Sequence, residues 1–251
     1  MTLQEWAEGQ RDACLQDAFD FLRMKGLCDV PADLTTLDAE WERHQEKFDP
    51  GTPEQFYLQW QGRMGASAIC RNAIDQFLRQ PLLKALGFVF PPPSAFGGRV
   101  LDYGCGTAAL SLAWHRAFIP RARLYLADVA NLSQEFVQYR VDGHGDTNVR
   151  VLGVYLADVP DSSVDVILCI DVLEHLVNPS ETFRMLDRKL RGGGITIIQA
   201  PWGGHVEHLD EAPVDWEENG GRELFEKQYA CVLKTDPVCP VAGVYWKRLS
   251  S

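Results

Sequence analysis

Two glycines separated by one residue follow an apolar segment that ends in an aspartate. The segment is residues 99–102, and the glycines are Gly104 and Gly106. Glycine lets a backbone turn sharply and come close to a ligand because it has no Cβ. A helix is predicted to begin near Ala109, and the N–H groups of its first turn present the positive end of the helix dipole. This order of strand, glycine loop and helix predicts a cradle for a cofactor.

Two cofactors fit such a cradle. The spacing of Gly104, Gly106 and Ala109 fits the dinucleotide fingerprint, and Asp128 follows at about the distance of an acid that binds ribose. Asp102 favours a different cofactor, because a carboxylate beside the first glycine would face the pyrophosphate of NAD, and like charges repel. S-adenosyl-L-methionine has no phosphate and carries an ammonium and a sulfonium group. We therefore expect S-adenosyl-L-methionine, with an NAD-dependent dehydrogenase as the alternative.

The same motif carries a family resemblance. The string Val-Leu-Asp-x-Gly-x-Gly-Thr, which begins at Val100, resembles the first motif of class I S-adenosyl-L-methionine-dependent methyltransferases. The resemblance covers about residues 95–200 well and 225–249 loosely. It implies a cofactor site made by Asp102, Tyr103, Gly104, Cys105, Gly106, Asp128, Val129 and Asp171.

The role of Asp128 follows from this resemblance. In the family, the acid that ends the second strand binds the ribose hydroxyls, and Asp128 holds that position. A carboxylate can accept from both hydroxyls, and such charge-assisted bonds are strong. The alternative is that Asp128 only caps the end of the strand. Many relatives also carry an acid just after the third strand for adenine. Here Asp158 comes several residues late. We therefore expect adenine to be held by backbone groups and by apolar packing from Tyr155 or Leu156.

A second motif follows the predicted fourth strand. The string Asp-Val-Leu-Glu-His-Leu runs from Asp171 to Leu176. It resembles the motif at the fourth strand of small-molecule methyltransferases that are related to those of ubiquinone biosynthesis. Ligands of doubly wound sheets lie beyond the carboxyl ends of the strands, so Asp171 is expected to face the cofactor cleft. Asp171 and His175 are candidate catalytic residues. Asp171 and Glu174 also fit a helix capping pattern, and the two interpretations are compatible.

Two histidines, His205 and His208, follow the predicted fifth strand. Relatives often carry a proline-containing loop with histidines here, over the acceptor site. Imidazole can act as a general base near neutral pH, so both are candidate catalytic residues. The alternative is that they cap or pack the loop. Two histidines without a clear third and fourth ligand do not define a metal site, so we expect no metal.

The elements that must position these residues alternate along the chain. Strands are predicted at 99–102, 123–128, 149–154, 164–170, 195–200, 229–234 and 242–248. Helices are predicted at 132–141 and at 179–190, the latter stopped by the glycines at 192–194. Such alternation predicts an α/β fold with a doubly wound, seven-stranded, mostly parallel sheet. The terminal hairpin resembles the class I methyltransferase topology, in which the last strand is antiparallel.

Three prolines at 91–93 divide the chain. Residues 1–93 are predicted to be helical, with helices from Leu3 to before Gly26, at 37–48 and at 64–86. They are the predicted lid over the acceptor, and residues 94–251 are the predicted S-adenosyl-L-methionine-binding domain.

Composition restricts the partners. The net charge is −11 and no cluster of Lys or Arg occurs, which argues against a nucleic acid or an anionic membrane surface as partner. We expect no membrane span and no signal peptide, and seven cysteines without a Cys-x-x-Cys pair favour reduced thiols in the cytoplasm.

The sequence as a whole predicts a cytoplasmic enzyme that transfers a methyl group from S-adenosyl-L-methionine to a small-molecule acceptor. A chain that binds the cofactor but serves as a catalytically inactive partner subunit is the alternative from a different class. The oligomeric state is not predicted.

Overall fold

The computed structural model describes residues 2–27, 39, 43, 57, 61–90, 95–202 and 208–249. A seven-stranded sheet lies at its centre. The strands are β1 (Arg99–Tyr103), β2 (Arg123–Asp128), β3 (Val149–Gly153), β4 (Val164–Ile170), β5 (Leu190–Ala200), β6 (Tyr229–Lys234) and β7 (Val241–Lys247). The helices of the described residues are α1 (Leu3–Met24), α2 (Gly62–Leu78), α3 (Gln80–Val89), α4 (Ala109–Phe118), α5 (Leu132–His144), α6 (Pro179–Lys189), α7 (Glu211–Glu218) and α8 (Gly221–Gln228).

The strand order is β3-β2-β1-β4-β5-β7-β6. The first five strands pair in parallel, and β7 runs antiparallel to both β5 and β6. This confirms the predicted doubly wound, mostly parallel sheet and its antiparallel last strand. Because β2, β1 and β4 are neighbours, their carboxyl ends meet at one edge of the sheet.

The central strands are covered by apolar side chains on both faces. In β4, Leu168 belongs to the core on one face, whereas Ile167 and Cys169 belong to the core on the other. Successive side chains of a strand point to opposite faces, so a strand buried on both faces reads as a continuous apolar run. The sequence of β4 shows this run, and its bounds agree with the prediction.

One predicted element boundary differs at the glycines of residues 192–194. We predicted that they end a helix, but α6 ends at Lys189 and β5 already begins at Leu190. Val164 pairs with Leu190 and Val166 pairs with Ile195, so the register shifts between these two pairs. The glycines therefore lie in an irregular start of β5, where the extra residues bulge out of the ladder.

The long helix predicted at 64–86 is broken at Arg79. Helix α2 ends at Leu78 and α3 begins at Gln80, with Arg79 in a non-helical conformation (φ −76°, ψ 81°). Pro81 lies in the first turn of α3, where its missing N–H costs nothing, but its ring opposes a helix that continues from before it. The break directs the chain toward the carboxyl edge of the sheet, where Arg79 contacts Asp171.

Helix α1 packs onto the helices that flank the sheet. Its start is closed by a capping box between Thr2 and Glu5. Trp6 contacts Trp114 of α4, and Phe21 contacts Phe136 of α5. The N-terminal helix and the sheet thus share one apolar core.

Two predictions about the N-terminal part are not tested. The predicted boundary between residues 93 and 94 lies outside the described residues, as does the predicted helix at 37–48 apart from residues 39 and 43. Among the described helices, none is both long enough and apolar enough to pass through a membrane.

Candidate active site

Three aspartates meet at the carboxyl edge of the sheet. Asp102 lies near the end of β1, Asp128 ends β2, and Asp171 directly follows β4. These strands are hydrogen-bonded neighbours, so the acids come together although they are far apart in the sequence. Asp171 has a left-handed backbone (φ 53°), which aspartate tolerates better than most residues.

The glycine loop between β1 and α4 is held by the end of β2. The N–H groups of Gly104 and Cys105 donate to the carbonyl of Ala127 at 2.8 and 3.2 Å. Both Gly104 and Gly106 have positive φ (70° and 55°), which favours glycine. These bonds place the start of α4 above the ends of β1 and β2.

The two glycines face different surroundings. A Cβ at Gly104 would lie 2.3 Å from Cγ2 of Val172, so this glycine is required for packing against the segment after β4. At Gly106 the nearest atoms to a Cβ are the amide nitrogens of Gln76 and Asn72, at 3.6 and 3.9 Å. The open side of the loop is therefore at Gly106, opposite α2.

Asp128 accepts two backbone hydrogen bonds. One oxygen accepts from the N–H of Gly106 at 2.6 Å, and the other accepts from its own neighbour Val129 at 2.7 Å. Burial raises the pKa of Asp128 to about 6, against the opposing effect of these two bonds. Asp128 therefore does cap the strand end and anchor the loop, and each oxygen keeps a lone pair for a further donor.

Asp102 is strongly affected by its surroundings. Burial raises its pKa to about 7, the Ser111 hydroxyl favours the charged form, and the negative charge of Asp128 opposes it. A cation beside Asp102 would stabilise the carboxylate. The neighbouring residues Tyr103 and Cys105 are buried, and burial raises the pKa of the Cys105 thiol well above its ordinary value.

A cavity of about 50 Å³ lies between α2, α3 and the glycine loop. Among its lining groups are an amide and a guanidinium, from Gln76 and Arg79, and the carboxylate of Asp102. Sites that enclose a whole ligand are usually about 300–1,000 Å³, so this cavity fits one end of an elongated molecule. A positive and a negative group on its wall suit the zwitterionic end of an amino acid.

Arg79 lies at this candidate site, although no motif in the sequence singled it out. Its guanidinium pairs with Asp75 at 2.7 Å and with Asp171. Burial lowers its pKa, but the carboxylates of Asp171 and Asp75 outweigh this effect and raise it. The other oxygen of Asp171 is buried without a hydrogen-bond partner among the described residues. Asp171 is thus fixed on one side and available on the other.

Glu174 was considered only as a capping residue, and that interpretation is wrong. The segment Leu173–His175 forms one 3-10 turn with Val172 at its N-cap, and no side chain caps it. Glu174 is instead fully buried, with 0% exposure. Burial, and then the charge of Asp171, raise its pKa well above its ordinary value.

The predicted catalytic residues Asp171, His175 and His208 lie on segments that meet beside β4. The rings of His175 and His208 are 5.0 Å apart and nearly perpendicular. Leu209 donates its N–H to the carbonyl of Glu174 at 2.9 Å, which joins the segment after β5 to the turn after β4. His205 lies outside the described residues, so its position stays a prediction.

The region after β3 offers little apolar surface for adenine. Leu156 is buried in the core, with only 2% of it exposed, and Tyr155 is 84% exposed. Of the two side chains we considered, only Tyr155 is accessible.

Comparison with known proteins agrees with this geometry. Residues 101–198 match the sequence model of a family described as a methyltransferase domain. A protein from Methanococcus maripaludis, assigned as an S-adenosyl-L-methionine-dependent methyltransferase, has a similar structure: 15% identity, TM-score 0.51, covering 74% of this chain and 93% of that one. An S-adenosyl-L-methionine-dependent methyltransferase from Aquifex aeolicus is 19% identical, with a TM-score of 0.50, covering 81% of this chain and 100% of that one. No curated protein matches the chain.

At these identities the solved structures show the fold, and the sequence match identifies residues 101–198 as a methyltransferase domain. Fold and match together define a class I methyltransferase domain. The chain is an S-adenosyl-L-methionine-dependent methyltransferase, and S-adenosyl-L-methionine is its cofactor. The predicted enzyme class and cofactor are thereby confirmed.

Proposed function

We propose that this methyltransferase acts on a small-molecule acceptor at the carboxyl edge of β1 and β4, in the cytoplasm. The observation that carries this proposal is that helices α2 and α3 cover the glycine loop and leave only a narrow cavity there. A site covered by helices admits a small acceptor more readily than a folded macromolecule. The net charge of −11 supports the same choice, because nucleic acids are bound through basic surfaces.

The residues around this cavity suit the parts of the cofactor. We assign Asp102 to the ammonium group, and Arg79 with Gln76 to the carboxylate. Asp128 is assigned to the ribose hydroxyls, through the lone pairs that Gly106 and Val129 leave open. The loop of Tyr103, Gly104, Cys105 and Gly106 supplies backbone contacts around them.

The cofactor supplies a methyl group already activated by its sulfonium. The protein then has to align an acceptor with that methyl group and to exclude water. Asp171, His175, His205 and His208 are our candidates on the acceptor side, since the three described members of this set lie on segments that meet beside β4. A base among them takes a proton only if the acceptor must lose one.

Calorimetry and a labelled methyl group test this proposal. The protein is titrated with S-adenosyl-L-methionine and, as a control, with NADH, which we expect not to bind. It is then incubated with methyl-labelled cofactor and a cell extract separated into low-mass, protein and nucleic-acid fractions. We expect label in the low-mass fraction, and no label with Asp102→Asn.

Other outcomes would contradict the proposal. Label in the protein or nucleic-acid fraction would show a macromolecular acceptor. Cofactor binding without transfer to any fraction would favour the alternative of a catalytically inactive partner subunit.

A further inference from the structure

Three side chains with metal-ligand chemistry converge beside the end of β4. They are Glu174 and His175, in the 3-10 turn, and His208, which precedes α7. One carboxylate oxygen and one nitrogen from each ring lie within 4.8 Å of one another. We propose that Glu174, His175 and His208 bind one divalent transition-metal ion, with Zn²⁺ the best match to these donors.

Glu174 is buried in a way that favours a bound cation. The residue has 0% exposure, and neither carboxylate oxygen has a hydrogen-bond partner among the described residues. Burying a carboxylate without such partners is costly, and native proteins rarely leave one unsatisfied. The backbone N–H groups of Glu174 and Val172 favour its charged form without meeting hydrogen-bond geometry. A bound cation would remove this cost.

Arg79 is a nearby protein cation, and its charge only partly offsets the effects that raise the pKa of Glu174. The guanidinium of Arg79 is engaged by Asp171 and Asp75. The ring nitrogen of His175 is 4.0 Å from the Glu174 carboxylate, which is beyond hydrogen-bond distance. The carboxylate thus lacks a close positive partner among the described residues, although it lies beside two groups that ligate metals.

The donor set indicates the class of ion. Two imidazoles and one carboxylate are the protein ligands of many catalytic zinc sites, which keep a fourth position open. Mg²⁺ and Ca²⁺ prefer oxygen ligands throughout. Tetrahedral Zn²⁺ with bonds of about 2.0–2.1 Å holds its ligand atoms about 3.3 Å apart. The three donor atoms would therefore move closer by roughly 1.5 Å at most, which is within the reach of side-chain rotation.

The backbone holds the two ligand segments together. The hydrogen bond from the Leu209 N–H to the Glu174 carbonyl places His208 beside the turn. No motif in the sequence indicates this grouping, because the only pair that we considered there was His205 and His208, for which we expected no metal. The further ligands come from a segment more than 30 residues earlier in the chain.

Metal binding by this cluster does not depend on the identity of the acceptor. A histidine that ligates an ion cannot serve as a base at the same time. If the ion is present, the base on the acceptor side is therefore His205 or Asp171, or no base is used.

Direct metal titration tests the site. Chelator-treated full-length protein is titrated with Zn²⁺ alone and, separately, with Mg²⁺ alone, and bound metal is counted after desalting. We expect one Zn²⁺ per chain and no bound Mg²⁺. Glu174→Gln, His175→Asn and His208→Asn should each weaken Zn²⁺ binding at least tenfold. The ion should raise the thermal midpoint of the unmodified protein but not of the variants.

Two matched variants control for adventitious binding. His144→Gln removes an exposed histidine far from the cluster in the sequence, and Cys231→Ser removes an exposed thiol. Both should keep the full stoichiometry and affinity. The proposal is wrong if the unmodified protein binds no Zn²⁺, or if Glu174→Gln and His208→Asn bind it as the unmodified protein does. If Glu174→Gln does not fold, Zn²⁺ binding by His208→Asn, a change at a half-buried position, tests the proposal by itself.

Discussion

Asp102 couples the stability of the fold to pH. Its pKa is about 7 in the folded protein against an ordinary value of 3.8, because burial disfavours the carboxylate. The folded state therefore holds a proton that the unfolded chain releases near pH 4. The stability from this proton is fully present below about pH 4, and it is lost as pH rises toward 7.

Replacing Asp102 by Asn should remove most of this pH dependence. Between pH 4 and 8, we expect the free energy of unfolding of the ligand-free protein to fall by about 2–4 kcal/mol more than that of the variant, which keeps the contributions of Asp128 and Glu174. Urea unfolding at several pH values measures the difference. The exposed acid Asp158, changed to Asn, is the control and should behave as the unmodified protein. If the free energy of unfolding depends on pH equally in Asp102→Asn and in the unmodified protein, other groups cause the dependence.

Asp128 supports a second prediction, about the cofactor. Asp128→Ala removes the acceptor for the ribose and the anchor of the Gly106 N–H, so both affinity and stability should fall. A charge-assisted hydrogen bond contributes about 1.5–3 kcal/mol, so calorimetry should show affinity for S-adenosyl-L-methionine at least roughly tenfold weaker. Unchanged affinity in a folded variant would mean that Asp128 only caps β2.

At the scale of residues, the sequence predicts what depends on local order. That Asp102 and Asp128 lie close together could be predicted, because each is at or next to the end of a parallel strand and parallel strands end at one edge. Arg79 and Glu174 were missed because their roles depend on contacts across the fold. Arg79 contacts Asp171, 92 residues further along the chain. The sequence places Glu174 at the start of a predicted helix, but it does not show that the side chain is buried.

At the scale of elements, the break between α2 and α3 lets Arg79 join those helices to the end of β4. The side chains of Arg79 and Asp171 are 32% and 25% exposed, so water screens their attraction only in part. We predicted one long helix here because periodicity continues across the break. Pro81 was the available signal, and its position predicts a kink but not the contact that the kink permits.

A double-mutant cycle measures this connection. Arg79→Met and Asp171→Asn, singly and together, should give a coupling energy of about 1–2 kcal/mol in urea unfolding. The exposed pair of Arg222 and Glu226 in α8 is the control, and its coupling should not exceed about 0.5 kcal/mol. A coupling at Arg79 and Asp171 no larger than that of the control would show that the pair does not hold the helices to the sheet.

At the scale of the whole molecule, α1 is part of the main core. Trp6 is 5% exposed and packs between Trp114 and Phe118 of α4. Arg140 of α5 pairs with Asp17 of α1 across more than 120 residues. Sequence periodicity predicted the helix and its buried apolar face. It does not show which distant helices that face packs against.

Trp6→Ala should therefore destabilise the entire protein. Removing a buried tryptophan costs about 3–5 kcal/mol, so the single unfolding transition should shift as a whole. Leu3→Ala, at the exposed start of the same helix, should change stability by less than about 1 kcal/mol. If Trp6→Ala lost activity at unchanged stability, α1 would serve the predicted lid over the acceptor rather than the stability of the core.

The strand order also determines when the sheet can form during synthesis of the chain. During synthesis β1 and β2 appear first, but the other side of β1 stays open until β4 is made; Arg99 bonds Asp165, 66 residues later. Pairing between distant segments is slow and leaves strand edges exposed to wrong partners. Val172, which packs against Gly104, arrives only after β4. A nascent chain therefore carries the complete glycine motif well before it can bind the cofactor.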